Sequence, residues 1–124
     1  MIFKPLFMRA GQIEQQQAGD GLKVNLGPAA PLGIVGGSVT ITGSFHQVDT
    51  EALSGTDNLD NILGGAEGDL LILRATDDGR TVVVRDNQGN CRLGSNCSLN
   101  HSSDSLTLLF NGSVWIELAR SNNG

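Results

Sequence analysis

His46 and His101 are the only histidines in the 124 residues, and His101 stands in Asn100-His-Ser-Ser-Asp104. That short stretch holds a base, two hydroxyls and a carboxylate. A serine relay needs those groups to converge on a nucleophile presented by a sharp turn, and neither serine lies in a Gly-x-Ser-x-Gly turn. The stretch therefore reads as a polar loop with a solvated His101, and His46 as a surface or interface residue on an alternating strand. Asp57, Asp60, Glu67 and Asp69 are oxygen donors of the kind calcium takes, but they lack the Asp-x-Asp-x-Asp-Gly loop spacing and read as a solvated acidic loop. No two of the thirteen acids stand out as a glycosidase pair, and Trp115 is the lone large platform for a sugar. The expectation is a protein that is not an enzyme and uses no cofactor or metal.

Cys91 and Cys97 flank Gly94 symmetrically in Cys-Arg-Leu-Gly-Ser-Asn-Cys. A hairpin centred there would face them across the ladder at bonding distance. In a reducing compartment they are instead two small buried apolar side chains, which is the preferred reading. With no histidine nearby they are too few for a structural zinc site.

Eight basic against thirteen acidic side chains give a net charge of -5. Affinity for nucleic acid comes mostly from Lys and Arg, so nucleic acid is not an expected partner. Seventeen glycines, one Trp and no Tyr describe many tight turns and few stacking surfaces, which favours an all-β fold. A chain this short is one domain with little surplus stability as a monomer, so partners are plausible. The apolar start, Met1 to Ala10, is interrupted by Lys4, Pro5 and Arg9 and offers no core for a signal peptide or a membrane span.

Organisation changes near residue 38. All three prolines fall within the first 31 residues. Residues 1–26 read as an N-terminal arm, with a short helical turn over 11–19 and a brief strand over 22–26. Residues 27–37 read as a Gly/Pro linker and 38–124 as the β domain. In the arm, Phe3, Lys4, Leu6, Phe7, Met8 and Arg9 combine apolar area with positive charge, opposite in sign to the body. Residues 1–10 carry +2 and the other 114 carry 6 basic and 13 acidic groups, or -7, which sum to -5.

Within the β domain, Val39, Ile41 and Phe45 alternate with polar residues along one long strand to about Val48. Asn58 to Gly65 has the spacing of a single helical turn. Leu70 to Leu73 and Val82 to Val84 read as a hairpin across Thr76-Asp77-Asp78-Gly79, followed by a second hairpin, 90–93 with 97–99. Leu106 to Phe110 pairs with Val114 to Ala119 across Asn111-Gly112, the strongest short hairpin signal in the chain. The first hairpin poses the central question. Its strands are apolar at consecutive positions, so both faces ask to be covered. Either one chain closes a sandwich around them or symmetry mates cover the second face. The second option is preferred, with Leu71, Leu73 and Val83 at the subunit interface. Trp115, placed by alternation with Ser113 and Glu117 on the more polar side of its strand, joins them there.

The run Gly64-Gly65-Ala-Glu-Gly68-Asp69-Leu70-Leu-Ile-Leu-Arg74, then Thr81-Val-Val-Val-Arg-Asp, then Gly89-Asn90, then Leu106-Thr-Leu-Leu-Phe110-Asn-Gly112-Ser-Val-Trp115-Ile-Glu117, resembles a β module of tailed-bacteriophage virion proteins. Such modules occur in head fibres, capsid decoration proteins and tail-fibre tips, which tend to be trimers. Arg9-Ala-Gly-Gln-Ile-Glu-Gln15 with Ala18-Gly19-Asp20 likewise resembles the start of phage fibre-type proteins. Cys91 and Cys97 depart from the pattern, which would have larger apolar or aromatic residues there. The resemblance implies a small antiparallel sandwich or barrel-like domain closed into a homotrimer. Its role would be capsid decoration, or cement: binding the major capsid protein on the outside of the phage head, assembled in the host cytoplasm. A protein that binds only the assembled shell stabilises it by mass action. A short head or tail fibre with a receptor-binding tip is the alternative, and a carbohydrate-binding or hydrolytic domain is the alternative from another class.

Overall fold

A computed structural model describes residues 22–124. The arm's anchoring residues Phe3, Lys4, Leu6, Phe7, Met8 and Arg9, and the helical turn expected over 11–19, lie outside the described residues. Residues 22–26, expected as a brief strand, run as exposed irregular chain. The all-β expectation is met. The strands are β1 (Ala30–Gly33), β2 (Ser38–Thr40), β3 (Phe45–Asp49), β4 (Thr56–Leu59), β5 (Asn61–Leu63), β6 (Leu70–Ala75), β7 (Thr81–Val84), β8 (Cys91–Arg92), β9 (Cys97–Leu99), β10 (Ser105–Phe110) and β11 (Trp115–Ser121), with one 3-10 turn at Glu51–Leu53.

The antiparallel sandwich gives way to a solenoid-like winding. β1, β3 and β6 stack in parallel, with Ala30 beside His46 and Phe45 beside Ile72. β2 runs parallel to β5 and β4 parallel to β7. Parallel neighbours require a long crossover, and here the chain supplies it by travelling round the core rather than through a helix. The winding then stops: β9 returns antiparallel on β7, β10 on β6, and β11 on β10. The result is three sheets around one core: six strands in the order β1-β3-β6-β10-β11-β8, three in the order β4-β7-β9, and the pair β2-β5.

Side-chain hydrogen bonds hold the corners where backbone ladders end. The Arg80 guanidinium donates to both carboxylate oxygens of Asp49 at 2.7 and 2.9 Å, and Arg85 does the same to Asp60 at 2.8 and 2.7 Å. Each pair ties a turn of the solenoid to the one before it, and each arginine holds its partner's carboxyl below the ordinary aspartate range. Asn90 closes the edge of β5 with its side chain: its amide accepts from the Ile62 N–H and donates to the Ile62 carbonyl, at 2.9 and 2.8 Å. This imitates one rung of a ladder.

Local expectations divide accordingly. The Asn111-Gly112 hairpin forms, with Gly112 at φ 99° and the Asn111 side-chain Oδ1 accepting from the Ser113 and Val114 N–H groups. The 70–84 hairpin does not. Asp77 and Gly79 make their turn, but the chain bends round a corner, and Thr81 to Val84 is captured in parallel by β4. The 90–93 strand likewise joins β11 while 97–99 joins β7, so Cys91 and Cys97 are not cross-ladder neighbours. Both are free and buried. The helical turn at 58–65 is two short strands, because Leu59 and Ile62 each point inward from either side of a bend at Asp60. There the Asp60 and Asn61 N–H groups both donate to the Gly37 carbonyl. The long strand of 38–48 breaks at 41–44. The 27–37 linker contains β1 and the buried Ile34, so the β domain begins near residue 30. Pro31 is tolerated in β1 because that strand lies at a sheet edge.

The expected subunit interface also needs correction. Leu71, Leu73 and Trp115 are each 0% exposed within a single chain, so a second copy has nothing of theirs left to cover. Val83 is half-buried and alternates with the buried Val82 and Val84, on a different sheet from Leu71. Trp115 points inward because Gly65 leaves room for it. A Cβ there would lie 2.6 Å from the indole and 3.2 Å from the Phe110 ring. The two rings sit 4.9 Å apart and tilted, and the indole N–H donates to the Ile62 carbonyl at 3.1 Å.

Candidate interaction face

The outward side of the six-stranded sheet is where apolar surface remains. Along β6 the inward residues Leu71, Leu73 and Ala75 are buried, which turns Leu70, Ile72 and Arg74 outward. Strand register carries this parity sideways. One row runs Phe45, Ile72, Thr107, Ala119, and the next runs Leu70, Leu109, Ile116. The first row contains no ionisable group, and the second ends at the exposed Arg92 of β8, beside Ile116. Leu70 and Ile116 are 41% and 38% exposed, and Leu118, set off by the register shift between β10 and β11, is 55% exposed. Arg74 and Gln47 form the next row and mark the polar border.

The chain entering β1 adds to this surface. Lys23 to Gly27 pass over the face beside Phe45 and Ile72, leaving an open groove of about 440 Å³ between segment and sheet. Leu22 and Val24 are 78% and 85% exposed. Contiguous apolar surface of this kind marks contact sites, whereas single exposed leucines are ordinary.

The titratable groups singled out in the sequence are spent on local structure. His46 is buried: its Nε2 accepts from the Thr42 and Gly43 N–H groups, both at 3.1 Å, and its Nδ1 meets the Ala30 carbonyl at 2.9 Å. Donation can come only from Nδ1, which makes the ring the neutral Nδ1–H tautomer. His101 has Nε2 3.3 Å from an Asp78 carboxylate oxygen, and its Nδ1 accepts from the Ser103 backbone N–H, so neither nitrogen faces a hydroxyl. Asp104, the carboxylate of the 100–104 stretch, is 1% exposed and accepts backbone N–H groups of Asn100, Asn123 and Gly124, tying residues 123 and 124 to that loop.

The four acids considered for calcium do not converge. Asp57 accepts from the Glu51 and Asn58 N–H groups, Asp60 pairs with Arg85, Asp69 accepts from the Ala66 N–H, and Glu67 lies near Gly112. Among the described residues, no three His, Cys, Asp or Glu side chains are placed to hold an ion. Burial pushes the Cys91 thiol up to about 12 and raises that of Cys97, so both are inert as nucleophiles at neutral pH.

The open side of Leu70 to Leu73 has the parity opposite to that expected from the sequence. The uncovered members are Leu70 and Ile72, joined by Phe45, Leu109 and Ile116. Period-2 alternation is invisible where every residue is apolar, and the signal that would have set it is Arg74, the polar residue sharing the face of Ile72. Searches of family models, curated proteins and solved structures find no match to this chain.

Proposed function

We propose that this chain is a structural component of a phage particle, a capsid decoration protein that works as a homotrimer on the outside of the head. The observation that carries the reading is the apolar outer face of the six-stranded sheet, which a single copy leaves open. A short chain that sets this much apolar surface outward is completed by contact with something else. The ordered likeness of residues 64–117 to phage virion β modules supports a particle as the setting. The arm supplies attachment to the major capsid protein through Phe3, Lys4, Leu6, Phe7, Met8 and Arg9. Burying the two phenylalanine side chains contributes several kcal/mol at about 25 cal/mol per Å², less the entropy of ordering the arm. Removing residues 1–10 is expected to leave self-association and melting unchanged and to abolish binding to particles that lack the protein. Full occupancy by the truncated chain contradicts this reading.

A further inference from the structure

We propose that His46 is an acid-sensitive latch: taking up a proton opens the 41–44 corner and frees the edge strand β1, with the chain before it, from the six-stranded sheet. The ring is 1% exposed and holds the corner as an acceptor. Its Nε2 lone pair receives the Thr42 and Gly43 N–H groups, at 3.1 Å each, while its Nδ1 faces the Ala30 carbonyl at 2.9 Å. Only the neutral ring does both. An imidazolium carries a proton on each nitrogen and has no acceptor left. The proton on Nε2 would point at two other N–H groups away from solvent, so the closed corner excludes the charged form.

Neighbouring charges do not offset this. β1, β2, β7 and residues 41–44 carry no ionisable side chain. On β3 itself Asp49 is taken by Arg80. β6 places Leu73 beside His46 and turns Arg74 outward beside Gln47. Asp69, which lines the cavity against the corner, accepts from the Ala66 N–H. Lys23 lines the groove beside Phe45, and its charge, like that of Arg74, is of the sign that disfavours an imidazolium. Among the described residues, no carboxylate pairs with the ring.

What opens is decided by what holds β1. That strand pairs with β3 alone, and within it only Leu32 is even half-buried. Residues 22–28 before it are exposed, and the Gln47 side chain adds one bond, to the Ala29 carbonyl at 3.1 Å. Ile34 is buried and its N–H donates to the Asp49 carbonyl at 3.0 Å, so the release stops at Gly33. A segment held by so little buried area opens without unfolding the core. The open form takes its proton near the ordinary histidine value of about pH 6.5, and the closed form does not. Opening is therefore rare at neutral pH and grows about tenfold for each pH unit below that value.

Amide exchange of the full chain at pH 8 and pH 5, corrected for the intrinsic rate at each pH, tests this. Exchange of the Thr42 and Gly43 amides is expected to speed up about thirtyfold, the effect of one proton about 1.5 pH units below its ordinary value. Trp115 fluorescence, which reports the core, is expected to be the same at both pH values. His46→Gln keeps a side chain that accepts but does not titrate, and is expected to lose the response, while His101→Gln keeps it. A response that survives in His46→Gln or vanishes in His101→Gln overturns the latch. So do equal exchange at the two pH values and loss of the Trp115 signal at pH 5, which would make the opening global. The parent alone supplies a further readout that needs no variant to fold. The imidazole nitrogen shifts of His46 are expected to stay those of the neutral Nδ1–H ring wherever the Thr42 and Gly43 amides are protected, and a charged ring beneath protected amides overturns the latch.

Discussion

His46 illustrates how a residue with catalytic credentials becomes an architectural one. Its ring spans three backbone segments: it accepts from the corner at 42–43 and donates to Ala30 on the edge strand, while its own strand β3 carries it. The corner at 41–44, where the strand breaks, is thus capped by one imidazole. Alanine at this position removes an acceptor from two N–H groups and a donor from one carbonyl. His46→Ala is expected to cost about 2 kcal/mol, because the corner is exposed enough for water to replace part of what is lost. Urea unfolding of the variant checks it, with an unchanged slope showing that only stability moved. Nothing in the spacing of the two histidines announced this role. A buried side chain that accepts from backbone across a corner has no signature along the chain, because its partners are fixed by tertiary winding.

At the scale of elements, what was legible follows from what is local. The Asn111-Gly112 hairpin carries its own turn chemistry and was readable; the 70–84 connection carries turn chemistry as well, yet its strands part because β4 offers Thr81 to Val84 a parallel partner. Turn residues specify that the chain bends and leave open whether it folds back. The same limit hid β4 and β5, whose inward Leu59 and Ile62 fit a helical turn equally well. Gly89 shows how tightly the successive turns of the solenoid approach. A Cβ there would lie 2.2 Å from the Asp60 carbonyl oxygen, and Asp60 is held in turn by Gly37 at its backbone N–H and by Arg85 at its carboxylate. Gly89→Ala is expected to destabilise by about 2 kcal/mol or more, as overpacking against backbone does. Gly43→Ala meets nothing within 4 Å and is expected to change stability by less than about 0.5 kcal/mol. Thermal melts of the two variants side by side distinguish a packed seam from an open corner.

For the whole molecule, the all-β class and the presence of an uncovered apolar face were both legible, the first from glycine content and turns, the second from consecutive apolar residues in β6. The architecture was not, because parallel pairing joins residues such as His46 and Leu73 that no local rule connects. Nor was the parity of the face, which waits on which side of β6 meets the core. The proposed role has this chain working as a homotrimer, with the side that shows Leu70, Ile72 and Leu109 left open by a single copy. The mass of the intact chain in solution tests that most directly. At micromolar concentration and above, sedimentation equilibrium is expected to give three times the 13.0 kDa of one chain, falling toward 13.0 kDa on dilution. A mass of 13.0 kDa at every concentration would contradict it.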